Sequence, residues 1–362
     1  MTTEQLRSAG LSIWLDDLSR SKISGSDKHS LPHRIENDGV VGVTTNPSIF
    51  GAAIIGSDDY SVDIAGLKGE SVERVVQKLT TDDVRSACQL FSEIYHATSG
   101  VDGRVSIEVD PRSAHDTAKT IDEAKALHAL VNQPNVMIKV PATIEGLPAI
   151  TELITQGISI NVTLIFSLER YKSVLDAFLS GLEARVAQGL PISEIHSVAS
   201  FFISRIDSAI DPILEKLGYT ELQGRIAVAN AHLAYEHFLQ VKSSARWSAL
   251  AALGGNLQRP LWASTGVKNP AIEDTRYVIE LVASNCVNTM PQATLDALID
   301  HGQYRGDSIT PSIAQSHQQI DSLKSLGISL DDVTHALEVD GVKKFKEAWE
   351  ALLADVEKVL HS

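Results

Sequence analysis

Val136-Met137-Ile138-Lys139-Val140-Pro141-Ala142-Thr143 sets one lysine in a short apolar run that ends in a proline-bearing turn. Unbroken Val, Ile and Met is how a strand covered on both faces reads, as in a parallel sheet under helices, and a charge there needs a reason. Desolvation weakens an amine's preference for the ammonium form and frees its lone pair to attack a carbonyl. An isolated lysine at a strand end more often snorkels into solvent. The choice between the two readings therefore rests on what the other strands carry.

Seven further apolar segments lie at 12–16, 40–45, 105–109, 158–164, 196–202, 260–264 and 286–290, and most end in polar residues. Helical spacing fills the intervals. The segment 82–98 puts Val84, Ala87, Cys88, Phe91, Ile94 and Tyr95 on one stripe, with Thr80 and Asp83 spaced as a capping box ahead of it. Similar patterns occupy 113–131, 168–188, 206–217, 226–241, 274–283, 313–323 and 330–360. Strands alternating with helices imply right-handed βαβ units and a parallel sheet. Eight of them favour closure into a (β/α)8 TIM barrel of the α/β class. The open doubly wound sheet is the rival, but neither GxGxxG nor GxxxxGK[ST] occurs. The excess over a minimal barrel is assigned to the N-terminal leader, the 57–79 region and the C-terminal helices. With no repeat and no linker, a single barrel domain over 1–362 is expected. The run Val342-Lys343-Lys344-Phe345-Lys346-Glu347-Ala348-Trp349 could cover the barrel mouth or pack on its flank, and an amphipathic helix on the outside is the favoured reading.

At 362 residues and 43% hydrophobic, the chain can bury a large core without disulfides or metal. Cys88 and Cys286 are its only cysteines, read as packed thiols in a reducing cytoplasm. The N-terminus has no basic stretch leading into an apolar one, so no signal peptide is expected, and no apolar run approaches membrane-spanning length. A formal charge of −15 argues against nucleic acid as a partner. It also means that a phosphorylated ligand would need local Arg or Lys to reverse the field.

In a parallel barrel the C-terminal strand ends open on one face, where residues distant in sequence meet. Asp16, with Asp17 beside it, ends the first strand, and Thr44-Thr45-Asn46-Pro47 ends the second. The third carries Glu108, the fourth Lys139, the fifth Asn161 and Thr163, the sixth Ser200 and Phe202, and the seventh ends near Ser264. Any one of these has an ordinary explanation: Asp16 as a helix cap, Asn46-Pro47 as a turn, Ser200 as a packed hydroxyl. One lysine with two carboxylates, a threonine and an asparagine on one mouth instead suggests Schiff-base carbonyl chemistry. The amine attacks a ketone, acid–base help removes water, and the iminium withdraws electrons from the neighbouring carbon.

Over nearly its whole length the chain resembles the transaldolases, and is most similar to their longer bacterial subgroup. The resemblance is carried by Ser12-Ile13-Trp14-Leu15-Asp16-Asp17-Leu18-Ser19-Arg20, Gly42-Val43-Thr44-Thr45-Asn46-Pro47-Ser48, Ser106-Ile107-Glu108-Val109-Asp110 and Met137-Ile138-Lys139-Val140-Pro141-Ala142-Thr143. Gly157-Ile158-Ser159-Ile160-Asn161-Val162-Thr163-Leu164-Ile165-Phe166, Leu261-Trp262-Ala263-Ser264-Thr265 and Val287-Asn288-Thr289-Met290-Pro291 complete it. It implies that Lys139 forms a Schiff base with C2 of fructose 6-phosphate or sedoheptulose 7-phosphate, and that Asp16 takes the C4 hydroxyl proton. Glu108 would act through a water held with Thr163, while Asn46, Asn161 and Ser200 would bind the dihydroxyacetone unit. Arg205, Ser264 and Lys268 would hold the phosphate, with Arg205 opening a helix. The family's usual residue near Lys268 is an arginine, and lysine brings charge without the planar fork. No cofactor or metal is implied. The expected partners are sugar phosphates, and the expected state is monomer or homodimer.

Fructose 6-phosphate aldolases share the lysine and the barrel but release free dihydroxyacetone, and they tend to carry glutamine and tyrosine where Glu108 and Phe202 stand. Glu and Phe favour transfer. A metal-dependent barrel hydrolase is a second rival, yet among twelve histidines there is no HxH or HExxH spacing. A silent binding protein would be expected to lack the strand-end lysine or the carboxylates.

Overall fold

The structure, a computed structural model, describes residues 2–361. Eight parallel strands form a closed barrel in sequential order: β1 Leu11–Leu15, β2 Val40–Val43, β3 Arg104–Glu108, β4 Val136–Pro141, β5 Ile160–Ile165, β6 Ser197–Phe202, β7 Arg259–Ala263 and β8 Cys286–Met290. Five helices bear on the site: α1 Pro47–Ile55, α2 Val72–Leu90, α3 Thr117–Val131, α4 Ser204–Leu217 and α5 Leu330–His361.

Side chains alternate along each strand, so a barrel has two apolar layers. Ile13, Ile107, Ile138, Val162, Phe201 and Trp262 face outward and join the large cluster under the helices. Trp14, Met137, Val198, Leu261 and Val287 belong to a second cluster that fills the interior. Each fully buried side chain of this size contributes about 1.5–3 kcal/mol, which is why the strands tolerate polar residues at their ends. Trp14 fits inside because Gly42 faces it from β2. A Cβ on Gly42 would lie 2.5 Å from the indole.

The lower end of the barrel is closed by charge. Arg104 is fully buried, donating to the Gly100 carbonyl at 2.7 Å, and Arg259 pairs with Asp102 at 3.0 Å. Strand register does the positioning at the upper end. Glu108 pairs with Lys139, and Lys139 with Asn161, so these three stand side by side on adjacent strands.

Three sequence expectations change. The helix expected over 82–98 begins ten residues earlier, at Val72, because Val75, Val76 and Leu79 extend the same stripe. Its cap is Ser71, whose hydroxyl accepts from the Arg74 amide at 3.3 Å. Thr80 lies inside the helix and donates to the Val76 carbonyl at 2.9 Å, while Asp83 receives the Tyr60 hydroxyl at 2.7 Å and the Arg20 guanidinium at 3.0 Å. The helix expected over 274–283 shrinks to Arg276–Ile279.

The third change affects the site. The run from Val342 to Trp349 does not lie on the barrel's outside; α5 crosses the barrel mouth. Val342 and Phe345 pack with Leu164, Phe166 and Phe202 in the interior cluster. Gly341 lets the helix come down close, since a Cβ there would stand 3.2 Å from Leu164 and 3.4 Å from Phe166. Arg170 and Glu338 pin the same helix at 3.1 Å. An apolar stripe is equally satisfied by either landing surface, and only the assembled mouth offers these aromatic rings.

Candidate active site

Lys139 comes from the middle of β4, and its ammonium lies at the mouth, buried, with its side chain 6% exposed. Its Nζ donates to the Thr45 carbonyl at 2.8 Å, stands 3.3 Å from Glu108 Oε2 and lies 5.9 Å from the centre of the Phe345 ring. The Glu108 contact is an ion pair that misses hydrogen-bond geometry, so neither oxygen of this buried carboxylate has a hydrogen-bond partner. Burial pushes the Glu108 pKa up to about 7, with Lys139 pulling against it. A carboxyl poised there can give or take a proton near neutrality. The Thr163 hydroxyl, on the neighbouring strand but one, is likewise buried and unpartnered.

Asp16 follows β1 directly, its amide donating to the Met290 carbonyl at 2.9 Å and thereby continuing the strand pairing. Burial raises its pKa, while Lys139 and a 2.6 Å hydrogen bond from Thr44 oppose the rise. Thr289 stands 2.7 Å from Thr44 and completes a hydroxyl relay behind the carboxylate. Asp17 points the other way and pairs with Lys22 at 3.0 Å, which removes it from the site.

A cavity of about 170 Å³ opens above these groups, lined by Asp16, Asn46, Lys139, Thr163, Ser200, Phe202, Arg205, Ser264 and Lys268 together with Phe345. Two of the residues singled out in the sequence stand outside its lining. Glu108 touches it through Lys139. Asn161 stands behind Ser200, whose hydroxyl it accepts at 2.6 Å, and donates to Ser106 at 3.0 Å. Asn46 keeps its ordinary role as well, capping α1 by accepting from the Ile49 amide at 3.1 Å, with Pro47 as the first helical residue.

The far end of the cavity suits an anion. Arg205 is the second residue of α4, whose N-terminus has no side-chain cap; the Ser204 amide donates to the Ser264 carbonyl at 3.1 Å and ties the helix start to the end of β7. Cζ of Arg205 lies 5.2 Å from the centre of the Phe202 ring, and its Nη1 is buried without a partner. Burial lowers the Arg205 pKa, a cost that a bound anion would offset. Ser264 adopts a left-handed backbone, φ 56°, which sets its hydroxyl 2.9 Å from that of Ser204. Lys268 lines the same end from an exposed loop.

Sequence reasoning missed Phe345, Thr289 and the Thr45 carbonyl. Phe345 lay in a helix assigned elsewhere, and a backbone acceptor has no residue signature. Thr44 was visible in the strand-end run but had no evident role until the Asp16 hydrogen bond appeared. Among the described residues, no group of three or more His, Cys, Asp or Glu is arranged to hold a metal ion. None of the described helices is long and apolar enough to cross a membrane.

Comparison with known proteins points the same way as this geometry. A family model described as transaldolase/fructose-6-phosphate aldolase matches residues 13–356. Transaldolase 1 of Streptomyces coelicolor is 55% identical, the match covering 99% of this chain and 95% of the relative. Transaldolase of Arthrobacter sp. is 53% identical, over 99% and 98%. Transaldolase of Mycolicibacterium smegmatis is 52% identical, over 96% and 94%. A buried strand-four lysine 3.3 Å from a buried carboxylate thus sits in a chain matched almost end to end, and the chain belongs to the transaldolase/fructose-6-phosphate aldolase family.

Proposed function

We propose that Lys139 is the nucleophile of a transaldolase reaction in which this chain transfers a dihydroxyacetone unit between sugar phosphates, in the non-oxidative pentose phosphate pathway. The observation that carries the reading is the buried Lys139–Glu108 contact of 3.3 Å, opening on a cavity that Asp16 also lines. The Lys139 amine attacks C2 of fructose 6-phosphate or sedoheptulose 7-phosphate. Glu108, through a water shared with the Thr163 hydroxyl, protonates the departing carbinolamine oxygen, and the nitrogen lone pair closes the C=N bond. Asp16 takes the proton from the C4 hydroxyl; the C3–C4 electrons pass into the iminium, and an aldose phosphate leaves. The enamine stays on Lys139, under Phe345, until a second aldose phosphate accepts it. Asn46 and Ser200 hold the three-carbon unit, with Asn161 orienting the Ser200 hydroxyl from behind, and Arg205, Ser264 and Lys268 take the phosphate. A cytoplasmic setting, a single barrel domain and a monomeric or homodimeric state accompany this reading.

Transfer rather than release is supported by Phe202, a ring without a hydroxyl in the cavity wall, and by relatives named transaldolase. With fructose 6-phosphate alone the expected result is a stalled enamine and no multiple turnover. Adding erythrose 4-phosphate should start turnover and yield sedoheptulose 7-phosphate. Steady accumulation of free dihydroxyacetone without an acceptor would assign the chain to the aldolase branch instead.

The acid–base pair gives a pH dependence with a definite sign. Attack needs a neutral amine beside a protonated acid, which is the pair carrying one proton in total. Below the Glu108 pKa, about 7, the pair takes up a second proton and the amine stays charged. So kcat/KM for fructose 6-phosphate should fall as pH drops below 7, approaching about tenfold per unit. Glu108→Gln should abolish or displace that limb; a limb left unchanged in the variant would assign the ionisation to another group.

A further inference from the structure

Two threonines stand on the strands that flank Asp16. Thr44 follows β2, its amide donating to the Leu15 carbonyl at 2.9 Å, and Thr289 is in β8, paired with Trp14 of β1. Both are 2% exposed, and both line the cavity that holds Lys139. Thr44 Oγ1 donates to Asp16 Oδ1 at 2.6 Å and stands 2.7 Å from Thr289 Oγ1. An ionised carboxylate only accepts, and a threonine has one hydroxyl proton. The Thr44 proton is committed to Asp16, so the second contact is made with the proton of Thr289. The result is a directed row, Thr289 to Thr44 to Asp16, in which each bond polarises the next. Among the described residues no group donates to Asp16 Oδ2, so the row binds one oxygen and leaves the other for the cavity.

We propose that Thr44 and Thr289 are positioning residues for the C3–C4 bond step: the row holds Asp16 as a carboxylate with Oδ2 turned to the C4 hydroxyl. The inference rests on the transaldolase reading. Burial works against the charge on Asp16, Lys139 and the Thr44 bond oppose burial, and neighbouring Asp17 adds to it. Burial and Asp16 both raise the pKa of Glu108, the other carboxyl at Lys139. Lys139 supports Asp16 only part of the time. Its amine is neutral when it attacks C2, and neutral again in the enamine, whereas the Thr44 bond is present throughout. When the C4 O–H bond breaks, the proton goes to Oδ2, the C3–C4 pair enters the iminium, and Oδ1 keeps its donor. Addition of the acceptor returns that proton to the new C4 oxygen.

The test is single-turnover mixing of excess protein with fructose 6-phosphate across a range of pH. Quenching with borohydride then counts six-carbon and three-carbon adducts on Lys139 over time. Thr44→Val should slow conversion of the six-carbon to the three-carbon adduct about 10–10²-fold, the range of a hydrogen bond to a charged group, while the six-carbon adduct forms at the native rate. The acid limb of the conversion should move to higher pH, because loss of the donor raises the Asp16 pKa further. Thr44→Ser should restore both rate and limb. Thr289→Val should act in the same direction but less, since Thr44 still donates to Asp16, and it carries the test should Thr44→Val fold poorly. Conversion at the native rate in either valine variant, equal slowing of both steps with the limb unmoved, an effect confined to KM, or no rescue by serine overturns the row. Absence of any adduct in the native protein overturns the transaldolase reading instead.

Discussion

Lys139→Ala should lose transfer activity by roughly 10⁴-fold or more, because it deletes the only covalent handle on the substrate and no neighbouring group can replace an amine nucleophile. The direct readout is borohydride reduction in the presence of fructose 6-phosphate followed by peptide mass spectrometry. The native chain should carry a dihydroxyacetone-derived adduct on the peptide containing Lys139, and the variant none. The fold should survive the change. Glu108 would lose its cation, but a carboxyl whose pKa burial has already pushed to about 7 protonates instead of remaining as a buried anion. A thermal melt separates the two causes of inactivity. A folded native chain that yields no adduct, or an adduct on another lysine, would remove Lys139 from the chemistry.

Asp16→Asn should cut transfer about 10²–10⁴-fold while leaving imine formation in place. The amide keeps the shape and can still accept from Thr44, which holds Asp16 at 2.6 Å, yet it cannot take a proton from the C4 hydroxyl. The trapped species therefore changes identity. The native chain accumulates the three-carbon unit, whereas the variant should retain the whole six-carbon ketose phosphate on Lys139. A three-carbon adduct formed at the native rate in Asp16→Asn would mean that cleavage uses another base. The raised Asp16 pKa fits this role, since burial makes the carboxylate a stronger proton acceptor than one in water.

These two residues also show how far a sequence can be read. Period-two strands separated by period-3.6 helices depend on local steric and burial preferences, so the eight strands, their parallel sense and their closure are all written in the chain. So is the convergence of their ends. Once the strands close in order, Asp16, Lys139 and Thr163 have nowhere to go but one mouth, whatever their separation in sequence. Asn161 and Glu108 show the limit of that reasoning: both are in place, yet each stands behind another side chain, a depth that strand position alone does not specify.

Where a surface element lands is different in kind. The α2 helix began earlier than its strongest stripe because packing, not the best local cap signal, fixed where the helix started. The final helix carried a stripe that fits an outer flank or a barrel mouth equally well in sequence terms. Its place over Lys139 was decided by Gly341 and by the aromatic rings of Phe166 and Phe202, which β5 and β6 bring beneath it. The sequence by itself determined the barrel and the lysine and carboxylates that meet at its mouth, because strand order and alternation dictate them. Only the tertiary structure decided that Phe345 lies over Lys139 and that Thr44 and Thr289 back Asp16. Those are contacts between elements, and their energies depend on which surfaces meet.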